Sequence, residues 1–324
     1  CLTSWLISLT RFSIRGSVLT DIAIQTLSPR QMAWKRFKGH KAALVCCGIL
    51  GFLVLAVILS PLTTRYGVNE SVKAPHNSYL SPSKLAWLGT DDIGRDLYSR
   101  LIYGTRVSLL IGLSSAFISV FVGCVVGAVA GFRGGRFDDV IMRVTDLFLA
   151  FPFLVALLVV RNMFGSIGWL TFIVGEVSSL RFIIFLLSFF GWMGVSRIVR
   201  GQVLALKERE FIEAARASGA SRSYIIKRHL LPNSIGPIMV ALTFSVVGAI
   251  SGEATLSFFG YGPQPGAGAT SLGLLVGQAK GAVQTGFWWI ALFPCLVLVV
   301  ISLCINFIGD ALRDATDPRM DAGK

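Results

Sequence analysis

The chain has 324 residues, of which 54% are hydrophobic and only 15% charged, with 34 glycines and a mean hydropathy of +0.70. A soluble domain of this length cannot hide so much apolar surface. The formal net charge of +13 is spread between apolar runs rather than over one polar face, which excludes a nucleic-acid-binding module.

Several runs reach the ~20 apolar residues that cross a bilayer, and the ~10-residue alternating segments of a membrane barrel are absent. The expected fold is therefore an all-α integral membrane protein with about six transmembrane helices. Residues 1–41 are moderately polar and read as a cytoplasmic segment, with a basic cluster from Lys35 to Lys41. Cys1 stands at an end that the charge pattern puts inside, so a chain boundary is expected there rather than a lipid anchor. Span 1 follows at Ala42–Leu62, within residues 42–62, and residues 63–106 form an extracytoplasmic segment. In that segment Thr90 is placed to cap a short helix with Asp91–Arg95 and Asp96–Arg100 as i,i+4 pairs.

The core, residues 107–309, opens with span 2 at Val107–Gly131. Gly123, Gly127, Gly131 and Gly135 recur every four residues there, so small residues line one helix face. Such a face suits either a seam between subunits or close packing inside the chain. Span 3 is expected at Val140–Met163, with Pro152 inside it. The stretch 164–180 has no clear period, and span 4 is expected at Phe182–Ile198. A polar segment, 200–233, precedes span 5 at Ile235–Phe258. A Gly/Pro-rich loop then leads to span 6 at Phe287–Ile308, which contains Pro294, and residues 310–324 form a short charged tail. Lys and Arg concentrate in 1–41, 133–143, 197–228 and the tail, which places both ends in the cytoplasm.

Five cysteines (Cys46, Cys47, Cys124, Cys295 and Cys304) fall within the expected spans, without metal-ligand spacing. His40, His76 and His229 lie far apart, and no nucleophile–base pair stands out. Asp146 and Glu253 are the acidic residues near span ends. A self-sufficient secondary transporter would show repeats and coupling charges at the midplane, and no clear repeat is visible.

The segment 200–233 is the polar exception. Leu204, Phe211 and Ala215 are spaced to share a helix face, Gly219 suits a helix stop, and Ser221 is placed to cap a second short helix ending near Pro232. By physics alone this is a basic, topology-setting loop. Its residue order adds more: Glu213-Ala214-Ala215, three residues, Gly219, nine residues, then His229-Leu230-Leu231-Pro232 resembles the E-A-A-x3-G-x9-I-x-L-P loop of permease subunits in binding-protein-dependent ABC importers. His229 replaces the usual Ile, and Arg228 to Asn233 resembles the RH-x-LPN form of the peptide branch. Leu88–Leu109, Glu253–Gly262 and Gly309–Arg319 are similar to further signatures of that branch, so the resemblance covers about Met32 to Arg319.

The resemblance implies a permease of the ABC importer type, translocating dipeptides or oligopeptides, with nickel or another small solute as the alternative cargo. It implies a coupling helix between spans 4 and 5, with Glu213, Ala214, Ala215, Gly219, Leu231 and Pro232 at the contact with an ATPase subunit. The implied partners are a second homologous permease, two cytoplasmic ATPase subunits and an extracytoplasmic solute-binding protein. ATP and magnesium are expected on the ATPase subunits and no cofactor on this chain, which lacks a G-x-x-x-x-G-K-[ST] loop.

Overall fold

The computed structural model describes residues 29–74, 76, 78–263 and 270–316. The opening 28 residues, much of the Gly/Pro loop and the last eight residues of the expected tail lie outside them. Within the described residues, helices and turns aside, the only β-pairing is two isolated bridges, Ser71–Arg95 and Thr90–Asp96, in the irregular segment that precedes Leu97. The main helices are α1 (Pro29–Gly39), α2 (Lys41–Ile58), α3 (Leu97–Arg133), α4 (Gly135–Ala150), α5 (Phe153–Gly165), α6 (Gly168–Val174), α7 (Leu180–Leu206), α8 (Glu210–Ala217), α9 (Ile235–Phe258), α10 (Leu272–Gln284) and α11 (Trp289–Thr316). Five of them (α2, α3, α7, α9 and α11) are long and apolar enough to span a membrane, and the number is six if α4 and α5, bent by 102° at their junction, form one broken span.

The expected span 5 matches α9 at both ends, whereas spans 2 and 4 extend further at both ends and span 6 begins two residues late and runs on to Thr316. The start of α3 shows why. Asp96 caps the helix by accepting from the Ser99 N–H at 2.8 Å, and Ser99 and Arg100 are buried although they are polar. The Ser99 hydroxyl donates to the capping Asp96 at 2.7 Å, and Arg100 reaches Asp91 and Gln278, partners that hydropathy does not register. Span 1 ends early: α2 stops at Ile58, and a separate turn, Ser60–Thr63, starts with Pro61 at a position that needs no N–H.

Four expectations are corrected. Span 3 is not one helix, because Phe151, in extended conformation, and Pro152 separate α4 from α5. The unplaced stretch contains α6, which ends at Gly175 with φ +93°. The region after span 5 contains a thirteen-residue helix, α10, capped by Ser271 through the Leu274 N–H at 3.1 Å. Residues 91–95 form a turn rather than a helix. Asp91 does pair with Arg95, but Arg100 reaches back to Asp91, and Asp96 serves as the cap of α3.

Residues from α3, α5, α7 and α9 build the central core, including Ile111, Leu157, Phe182, Leu186, Met193 and Leu256. The glycine row decides between its two readings. A methyl group on Gly123 would come within 2.6 Å of Val195 Cβ, one on Gly127 would overlap the Ser196 carbonyl, and one on Gly131 would sit 3.1 Å from the Arg200 carbonyl oxygen. The seam is intrachain, and it brings the α3 backbone against α7. Gly135 lies beyond the seam, with φ +60° and no neighbour there.

Candidate functional site

The segment between α7 and α9 folds as a compact appendage on the spanning bundle. The chain leaves α7 through a turn at 207–209, and Arg209 enters α8 in extended conformation. The first turn of α8 carries Glu210 and Glu213 and its last turn Arg216, the charge order that a helix dipole favours. The turn breaks the face expected for Leu204, Phe211 and Ala215. Ile212, fully buried, is the anchor instead, and Phe211 is 42% exposed. Ile212 packs in a cluster with Val120 and Ala128 of α3, Val199 and Val203 of α7, and Ala241 of α9. Ala215 and Leu231 lie half-buried against the same cluster. Arg216 adds a second link, its guanidinium 5.4 Å from the Phe132 ring at the end of α3.

The end of α8 is a paired-bond helix stop. The Gly219 N–H donates to Arg216 O and the Ala220 N–H to Ala215 O, each at 3.0 Å, with Gly219 at φ +79°. A methyl group at Gly219 would meet nothing within 4 Å, so the demand for glycine comes from the backbone angle alone. Ser221 then caps Arg222–Ile225 by accepting from the Tyr224 N–H at 3.3 Å, as expected from its spacing. A wide turn, Ile226–Leu230, follows, in which the Leu231 N–H bonds Ile226 O. This widening lets Pro232, which has no N–H and crowds the carbonyl four residues back, sit in a continuing helical path into α9.

The outcome for the six residues singled out is mixed. Glu213, Ala214 and Pro232 are exposed, Ala215 and Leu231 belong partly to the internal core, and Gly219 forms the turn. The exposed Phe211 and Tyr224 and the half-buried His229 come together here, a grouping that sequence reasoning did not place. The His229 ring lies 5.8 Å from Tyr224 and 6.3 Å from Phe211. Their spacing, eighteen residues from first to last, gives no local signal. What the arrangement offers is a short helix with an open small-residue face, fixed through Ile212 to three spanning helices.

Two polar clusters lie away from this appendage. Arg100, 2% exposed, ion-pairs with Asp91 and donates to Gln278 Oε1 at 2.8 Å, so it joins the segment before α3 to α10. Glu253, fully buried, accepts from Ser257 and Ser271 at 2.6 Å each and from Ser108 at 3.1 Å. On the opposite flank of the bundle α4 is tied to α7 by Asp138–Arg200, at 2.6 Å to both carboxylate oxygens, and by the Asp146–Arg197 pair.

A family model described as "Binding-protein-dependent transport system inner membrane component" matches residues 123–322, and one described as "N-terminal TM domain of oligopeptide transport permease C" matches residues 28–82. Among similar proteins, the dipeptide transport system permease protein DppC of Bacillus subtilis (strain 168) is 36% identical over 295 residues, covering 91% of this chain and 87% of that protein. The oligopeptide transport system permease protein OppC of Haemophilus influenzae is 34% identical over 302 residues, covering 93% and 92%. In fold the chain is similar to a subunit of the MetNI methionine ABC transporter in an inward-facing conformation. That match has a TM-score of 0.53 at 22% identity, over 67% of this chain and 96% of the other. The chain is a multi-pass, all-α membrane protein that belongs to the family of inner membrane permease components of binding-protein-dependent ABC transport systems.

Proposed function

We propose that this chain is one of two homologous permease subunits of an ATP-driven importer for dipeptides or oligopeptides, with both ends in the cytoplasm. In this reading α8 is the coupling helix. Two cytoplasmic ATPase subunits bind ATP and magnesium, and an extracytoplasmic binding protein delivers the peptide. The permease itself forms the path and performs no hydrolysis. The names of the peptide permeases to which the chain is 34–36% identical support the cargo class.

The observation that carries the coupling role is the two-sided build of α8. One side is locked into the core of α3, α7 and α9 through Ile212, and the other leaves Glu213, Ala214 and Ala217 exposed. A push on the outer side is therefore transmitted to three spanning helices as a rigid-body movement. Closure of the ATPases around ATP would supply that push through contacts that differ between two states.

The test uses Gly219→Val and Ala214→Trp. The first forces an unfavourable backbone angle at the stop, and the second obstructs the open face. Ala215→Trp is less clean, because Ala215 packs inside the chain. Both variants should insert normally and lose about 2 kcal/mol or more of docking energy, as at an interface hot spot. The readouts are co-purification of the ATPase subunits and ATP-dependent peptide uptake. Full retention and wild-type uptake in both variants would reduce the segment to a topology-setting loop.

A further inference from the structure

The geometry points to α1 as an in-plane binding site for anionic phospholipid headgroups. The helix, PRQMAWKRFKG, contains no acidic residue, and residues 29–41 carry Arg30, Lys35, Arg36, Lys38 and Lys41. His40, extended at φ −83° and ψ 91°, separates α1 from α2, so α1 is not a prolongation of the span. One side of α1 is committed to the protein. Phe37 is buried with Ala311 and Ala315 of α11, and His40 pairs with Asp314 at 3.8 Å. The other side presents Met32, Trp34, Lys35, Lys38 and Lys41, with Trp34 59% exposed and the Lys38 ammonium 5.2 Å from its ring centre. An exposed indole beside lysines is the arrangement that settles at the headgroup level of a bilayer.

The surroundings identify the occupant. Of the eighteen residues of α2, which begins directly after His40, only Ala43 and Cys46 are buried. Val45, Phe52 and Ile58 are 62–70% exposed, as on a face covered by acyl chains. Lipids that coat α2 bring their headgroups against the exposed side of α1. A surface that exposes Lys35, Lys38 and Lys41 beside a helix with no acidic residue selects anionic headgroups over zwitterionic ones. This inference depends on the membrane-spanning fold and is independent of the cargo.

The experiment takes the assembled transporter, purified in mild detergent and exchanged into mixed phosphatidylcholine–phosphatidylglycerol micelles. Phosphatidylglycerol retained per complex is counted by native mass spectrometry, and its affinity is read with a spin-labelled analogue. Wild type should enrich phosphatidylglycerol, and added salt should weaken that preference. Lys35→Gln and Lys38→Gln should each lower the affinity about fivefold, and together more. Lys84→Gln, an exposed lysine far along the chain from α1, should change nothing. Equal phosphatidylglycerol affinity in wild type and the Lys35→Gln/Lys38→Gln variant would overturn the proposal and leave these lysines with topology alone. Loss of the second permease subunit from that variant, with lipid affinity intact, would overturn it in favour of a protein interface.

Discussion

Glu253 shows what a buried carboxylate costs and returns in this fold. All three serine hydroxyls donate to it, and two of them also serve α10. Ser271 Oγ accepts the Leu274 N–H, and Ser108 Oγ accepts the Leu272 N–H, each at 3.1 Å. The carboxyl group thus orients the serines that accept the first N–H groups of α10. Replacing Glu253 with Leu leaves three buried hydroxyls without their acceptor and should destabilise the subunit by about 3 kcal/mol or more. Glu253→Gln keeps one oxygen for Ser257 and Ser271 and should cost roughly 1 kcal/mol. Thermal unfolding of the purified complex compares the two, and equal midpoints would show that the cluster does not hold α10. The Asp91–Arg100 pair is the second such point. Asp91 Oδ1 also accepts the Arg95 N–H at 2.8 Å, and its Oδ2 the Arg95 side chain at 2.7 Å. Asp91→Asn leaves the buried Arg100 without its counter-charge, Arg95 keeping only Asp92 at 3.9 Å, and should cost about 3–5 kcal/mol by the same measurement.

Among the elements, α3 and α7 define the closest helix pair, and their seam is built by subtraction. Gly123 and Gly127 admit the α7 backbone because they have no side chain. Gly127→Val should force the helices apart and lower subunit stability by about 1–3 kcal/mol, as overpacking does. Because the seam is internal, instability should appear in the subunit itself before any partner is lost. Dissociation of the second permease from an otherwise stable Gly127→Val chain would restore the subunit-seam reading. The break at Pro152 has a further consequence. It allows α5 to leave the line of α4 at 102° while two ion pairs hold α4 along α7.

For the whole molecule, the topology proposed here counts the bent α4–α5 pair as one of six crossings, which puts both ends on one side. In that proposal the side is the cytoplasm, as the positive-inside bias predicts. With the span cysteines replaced, Ser78→Cys should react with an impermeant maleimide from outside, and Ser223→Cys only after the membrane is opened. Labelling of position 78 solely from the cytoplasmic side would reject this topology. The permease purified alone should hydrolyse no ATP, and hydrolysis and uptake should appear together once the ATPase subunits and binding protein are added. Uptake by the single chain without ATP would reject the importer assignment.

The sequence by itself determined whatever depends on neighbours along the chain. Apolar runs marked the spans, and the order Glu213-Ala214-Ala215 to Gly219 and Ser221 marked a helix, its stop and the next cap. All of these are local in physics, because a helix stop needs one backbone angle and a cap needs one hydroxyl three residues away. Only the tertiary structure decided what the polar residues meet. Arg100 was expected to pair with Asp96, four residues away, yet it reaches Gln278 across 178 residues. The helix α10 lay hidden in a Gly/Pro-rich stretch because Ser108 and Glu253, which hold its first turn, come from two other helices. The glycine row fitted two partners equally well until α7 was seen to occupy it. In a bilayer, packing and buried hydrogen bonds select such contacts, and neither leaves a periodic trace in the sequence.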